Sequence, residues 1–232
     1  MTQFPMIAVT AFGILTTIGA YALSLLARQR YSSPMTTPVL FSTIVIIAVL
    51  LSAGISFSDY KPARDLITTM LGPATVALAV PLYKNREAFL RHLVPAGVGL
   101  LVGSLGTMIA AALTARLFNF SPELVSSIAI KSATVPIAVE IAKIVHANPP
   151  LTALFVVTTG MIGASFGPWL MDRTGITRPV ARGLALGTIS HGQGTAQAAT
   201  ENELCGAVAG VAMGLGAMCT SLAAPWIVPL FV

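Results

Sequence analysis

Charge is what this sequence has least of. Charged residues make up 9% of its 232 positions, against about 25% in a soluble domain, so a water-facing shell is excluded. Cysteine is nearly absent: Cys205 and Cys219 offer no disulfide framework and no metal cluster. Aromatic residues reach only 7%, and no basic stripe interleaves with them, which argues against a nucleic-acid partner. No HExxH, GxSxG or metal-spaced Cys/His pattern occurs, so an enzyme is the least supported class, with no catalytic residue, metal or cofactor implied. The opening Met1-Thr2-Gln3-Phe4-Pro5 carries no positive charge before its apolar run. That run reads as a retained first membrane helix rather than a cleaved leader.

What is present is apolar length. Hydrophobic residues make up 55%, and mean hydropathy is +0.85. A spanning helix needs about 20 mostly apolar residues. Residues 5–27, 38–56, 93–115, 150–171 and 206–231 satisfy this, while 65–83, 121–145 and 181–199 are apolar but interrupted. The expected fold is an all-α polytopic membrane protein, one domain over 1–232, with about seven to eight membrane-embedded helices. Lys and Arg collect in cytoplasmic loops. Arg28 and Arg30, then Lys84, Arg86 and Arg91, then Arg173, Arg178 and Arg182 mark three such loops. Three apolar elements separate the last two basic loops, so one must fail to cross. Lys131, Ser132 and Pro136 make 121–145 the candidate broken or re-entrant segment, a form tolerated where it is buried in protein.

The chain also repeats itself. PATVALAVPLYK at 73–84 and SATVPIAVEIAK at 132–143 are identical at six of twelve positions, among them Thr75/Thr134 and Lys84/Lys143. Chance matches among Ala and Val are the competing explanation. A break before each copy favours a true repeat, and paired interrupted helices point to a transporter's binding site. The first break is at Gly72-Pro73, where proline removes a backbone donor and Thr75 adds a hydroxyl. In the second copy, Ser121-Pro122-Glu123 reads as an N-cap with proline at N1. Lys131 then lies ~15 Å along, near the bilayer midplane. Such a charge costs at least about 2.5–3.5 kcal/mol and defaults to a functional reading over snorkelling. Ser132 and Thr134 flank it. Glu140 either pairs with Lys131 or takes a proton, or simply ends the segment beside Lys143 and His146.

A third cluster, Gly187-Thr188-Ile189-Ser190-His191-Gly192-Gln193-Gly194-Thr195, combines close-packing glycines with hydrogen-bonding side chains. His191 titrates near physiological pH and is the proton-carrying candidate. Helix packing around a satisfied histidine is the plainer alternative. Ser190, His191, Gly192, Gly194 and Thr195 join Pro73, Thr75, Lys131, Ser132 and Thr134 as the expected substrate site.

Three strings, LGPATVALAVPLYK, SPELVSSIAIKSATVPIAVEIA and ARGLALGTISHGQGTAQA, resemble the LrgB/CidB family, and the closing GAVAGVAMGLGAMCTSLAAPWIVPL fits as well. The family often places Glu before the GA of its last segment, where this chain has Cys205. Glu201 and Glu203 are the nearby substitutes. The resemblance implies a multi-pass protein of the bacterial cytoplasmic membrane working with a small holin-like partner of the LrgA/CidA type. It implies one of two roles: antiholin-like control of murein hydrolase activity and lysis, or transport of small 2-oxo or 2-hydroxy monocarboxylates. The buried Lys, the broken repeats and the Ser-His-Gly cluster favour transport of a small carboxylate, with homo-oligomers open.

Overall fold

The computed structural model describes residues 6–31, 33–70, 73, 76–77, 79–84, 87, 90 and 93–232. The chain forms two compact units, Met1–Ala77 and Leu78–Val232. In the first, α1 (Met6–Arg30) packs against α2 (Pro38–Ser52) and α3 (Phe57–Thr69). Gly13 lets α3 approach closely, since a Cβ there would stand 2.9 Å from Ala63 Cβ, and Thr17 Oγ1 shares a hydrogen bond with Tyr60 OH at 2.8 Å. Helix α3 corrects the reading of 65–83 as one interrupted apolar element. Residues 57–69 form their own charged helix, opened by a capping box between Ser56 and Asp59.

The second unit contains α4 (Ala79–Lys84), α5 (Leu93–Leu117), α6 (Pro122–Ala129), α7 (Val135–Ile144), α8 (Pro149–Arg173), α9 (Pro179–Glu201) and α10 (Glu203–Ile227). Helices α1, α5, α8 and α10 with its 3-10 extension are long and apolar enough to cross a membrane, and α2 is a shorter apolar helix. The remaining elements of the second unit are shorter or folded back.

The segment 121–145 is interrupted as its sequence predicts. Ser121 caps α6 by accepting from Leu124 N, with Pro122 at N1. The helix stops at Ala129, and α7 restarts at Val135 with Pro136 in its first turn. Its two ends then meet. Asn148 Nδ2 donates to Glu123 Oε1 at 2.9 Å, and Asn148 N donates to Ser127 Oγ at 3.1 Å. A continuous helix would hold residues 123 and 148 about 37 Å apart. Helices α6 and α7 therefore make a hairpin whose tip is 130–134.

Helix α9 does the same. His191 has φ 40° and ψ −126°, which breaks the helix in two. Arg182 and Glu201 are joined by a 2.6 Å ion pair, where a straight helix would separate them by about 28 Å. Leu186 and Ala198 share one apolar cluster, and a Cβ on Gly194 would fall 2.6 Å from Ser190 Cβ. Residues 179–190 and 192–201 are thus antiparallel halves turned at His191.

The two hairpins open at opposite ends of α8. The base of the first adjoins the N-terminus of α8, capped by Asn148, and the C-terminal end of α10, which Arg116 joins by donating to Leu230 O at 3.1 Å. The base of the second adjoins the C-terminal end of α8, through Arg182 and Asp172 at 2.7 Å. Both tips are directed into the interior.

Candidate functional site

The glycines of α8 decide where the second tip sits. Near the helix middle, a Cβ on Gly160 would come within 2.5 Å of His191 Cε1 and would also strike the Gln193 side chain, while one on Gly163 would strike Ser190 Oγ. Only a bare backbone strip admits this turn. His191 is buried, at 6% exposure, and its Nε2 donates to Val156 O at 3.1 Å. A carbonyl can only accept, so this bond places a proton on Nε2, and in the neutral ring Nδ1 is then the acceptor. Thr195 Oγ1 donates to His191 O at 2.9 Å, tying off the carbonyl at the corner.

The first tip arrives from the other direction. Val156, whose carbonyl holds His191, belongs to the same apolar cluster as Ile130 and Ala133, which flank Lys131 at the first tip. Lys131 Nζ donates to Ser132 Oγ at 3.2 Å, and no carboxylate pairs with it among the described residues. Lys131 also lines a groove of about 370 Å³ with Thr107, Thr114, Phe120 and Ile128. Thr134 is the N-cap of α7 without a side-chain capping bond, so α7 presents free backbone amides and a partial positive charge beside Lys131.

Of the residues singled out by sequence, the structure brings Lys131, Ser132, Thr134, Ser190, His191, Gly194 and Thr195 to these two tips. Gly192 lies at the second tip on its exposed side. Glu140 does not pair with Lys131: it is exposed and holds Lys143 at 2.7 Å near the end of α7. Pro73 is helical and exposed in the first unit, and Thr75 lies outside the described residues together with Gly72. The facing of the two repeat copies therefore falls outside what is described, although 79–84 and 135–144 are both helical. Among the described residues no group of three or more His, Cys, Asp or Glu is placed to hold a metal.

Sequence reading missed the clamp at the base of the second hairpin. Arg182, read as a loop charge, is 9% exposed. It grips Glu201 with two bonds of 2.6 and 2.9 Å, and donates to Asp172 at 2.7 Å and to Ile176 O at 2.9 Å. Cys205 Sγ lies 3.8 Å from Glu201 Oε2. A carboxylate therefore does sit against Cys205, supplied by the last residue of α9. The G-x-x-x-G spacing of Gly183 and Gly187 permits the close fit, since a Cβ on Gly183 would meet Cys205 O at 2.5 Å.

The family described as LrgB-like matches residues 17–230. The chain belongs to the LrgB-like family. It is 37% identical over 218 residues to the uncharacterized protein YxaC of Bacillus subtilis, covering 94% of this chain and 95% of that one. It is 34% identical over 199 residues to YwbG of the same organism, covering 86% and 88%. It is 31% identical over 218 residues to the holin-like protein CidB of Staphylococcus epidermidis, covering 94% and 95%. No solved structure matches it. Membership accounts for the apolar composition, and this LrgB-like chain is a multi-pass membrane protein.

Proposed function

We propose that the chain is a secondary transporter of small 2-oxo or 2-hydroxy monocarboxylates in the bacterial cytoplasmic membrane, working with a small holin-like partner. The observation that carries this reading is Lys131: a cation without an anionic partner among the described residues, at a hairpin tip facing a second hairpin from the opposite end. Interrupted helices that meet near the midplane are the form in which membrane proteins hold solutes, with half-helix N-termini aimed at anionic groups. Here Lys131 and the α7 amides take the carboxylate. His191, with Nδ1 the acceptor of its neutral ring, is the proton carrier; Glu140 faces away and serves only if the pathway passes the base of the first hairpin.

The name of the Staphylococcus relative, holin-like protein CidB, favours the second reading, a holin-like role, and none of the three relatives' names states a substrate. The two separate in proteoliposomes loaded against labelled pyruvate, glycolate and lactate, with and without the partner. Saturable uptake supports transport; uptake absent under every condition, with lysis control retained in cells, supports the holin-like role.

His191 gives the reading a sharper edge. His191→Gln keeps hydrogen bonding but removes titration, so substrate binding is expected to persist while the pH dependence of uptake disappears. His191→Leu removes the polar contacts as well and should abolish both. Uptake measured against pH at equal membrane expression checks this, and unchanged profiles in both variants would leave His191 as packing alone.

A further inference from the structure

Hydroxyls in membrane helices ordinarily satisfy themselves on the preceding turn. Thr114 donates to Ala110 O, Thr220 to Gly216 O and Ser221 to Ala217 O. Three buried hydroxyls among the described residues break this habit, Thr152 on α8 and two that flank one glycine. Ser104 on α5 and Thr188 on α9 are 2% and 4% exposed, and neither Ser104 Oγ nor Thr188 Oγ1 has a partner among the described residues. Both side chains flank Gly216 of α10, where a Cβ would lie 3.4 Å from Ser104 Oγ and 3.8 Å from the Thr188 methyl carbon Cγ2. A buried hydroxyl left unbonded costs roughly 1–3 kcal/mol, so such a pair implies a polar group that both reach.

The place of the pair says which group. Thr107 lines the groove shared with Lys131, and Thr107 Oγ1 donates to Ser104 O at 3.2 Å. Ser104 is thus one helical turn beyond Thr107, about 4.5 Å along α5. Neither residue lines that groove, so a solute held by its carboxylate at Lys131 would have to extend past Thr107 to reach them.

We infer that Ser104 and Thr188 form a hydroxyl subsite for the oxygen on C2 of the substrate. This rests on the transport reading and deepens it. A hydroxyl both donates and accepts, so one pair serves a keto oxygen by donating and a hydroxyl by either role. The subsite discriminates against an acid lacking that oxygen, because the two hydroxyls would stay unpaired. Ser190 and His191, which face α8, and Thr195, which faces Met213 of α10, are not required for this contact.

The test is competitive uptake of labelled pyruvate, lactate and propionate into proteoliposomes by the wild type and by Ser104→Ala/Thr188→Val. The wild type is expected to take up pyruvate and lactate alike and propionate at least about tenfold less well. The double variant should narrow that preference to about twofold by losing pyruvate and lactate uptake while propionate uptake stays. Its melting temperature in detergent should hold or rise, since unbonded polar groups have been removed from the interior; Thr188→Ser should restore part of the preference. A retained preference in the folded double variant overturns the subsite, as does a lowered melting temperature with uptake of all three acids reduced equally, which marks structural hydroxyls. Wild-type protein that moves none of the acids overturns the transport reading itself.

Discussion

Lys131→Met is expected to reduce carboxylate uptake by about 30-fold to several hundred-fold while leaving the protein as stable as before, or more so. The loss follows from removing a charge-assisted contact to an anion, which is worth roughly 2–3 kcal/mol or more where water is excluded. The gain follows from the same burial. Among the described residues Lys131 Nζ bonds only to Ser132 Oγ, and a charge at membrane depth costs at least about 2.5–3.5 kcal/mol. Methionine fills a similar volume without that penalty. Uptake and melting temperature measured on one preparation separate function from scaffold, because a structural lysine would lose both together. Lys131→Arg keeps the charge and should retain part of the uptake.

Arg182→Met should destabilise the second unit by about 3–5 kcal/mol, since removing one partner strands the other as an uncompensated charge. Glu201 is the partner that suffers: its side chain is 14% exposed, whereas Asp172 is 67% exposed. At about 2–4 °C per kcal/mol for a chain of this size, the fall in melting temperature is expected to reach roughly 6–20 °C. Asp172→Asn should cost at most about 1 kcal/mol, because an exposed pair contributes little. The double variant Arg182→Met/Glu201→Leu should recover most of the loss, because the only carboxylate left without its partner is Asp172, which is exposed to solvent. Thermal unfolding of the four proteins in one detergent decides it, and a double variant no better than Arg182→Met would show that the ion pair is not what closes the hairpin.

Both hairpins were visible in the sequence as interruptions, but only one as a fold. In 121–145 the cap at Ser121, proline at 122 and 136, and a lysine in an apolar run all mark a segment that stops and restarts. Proline acts through its own backbone, so its effect is readable locally. The turn at His191 has no proline. It depends on Gly160 and Gly163 of α8, and on an ion pair between residues 19 apart, neither of which a local pattern displays. Arg182 was misread for a related reason: a basic residue between apolar runs looks the same in a loop and inside a clamp. Helix α3 does not show in apolar length because its residues are charged, although Ser56 and Asp59 carry a legible capping box. Ser104 and Thr188 are ordinary helix residues by sequence, and only their unbonded oxygens set them apart.

Two hairpins enter from opposite ends of α8, and Val156 of that helix joins the His191 turn to the apolar cluster of the other tip. Single cysteines at Asn119, Lys143, Ile176 and Glu203, in a background with Cys205 and Cys219 replaced by alanine, test this arrangement with a membrane-impermeant maleimide. Asn119→Cys and Lys143→Cys should label from the same side, because 121–145 turns back. Ile176→Cys and Glu203→Cys should label together from the opposite side, because α9 turns back as well. With Arg173 and Arg178 in a cytoplasmic loop, the first pair is the one reached from outside. Labelling of positions 119 and 143 from opposite sides, or of 176 and 203 from opposite sides, would make the corresponding segment a full crossing and contradict the account.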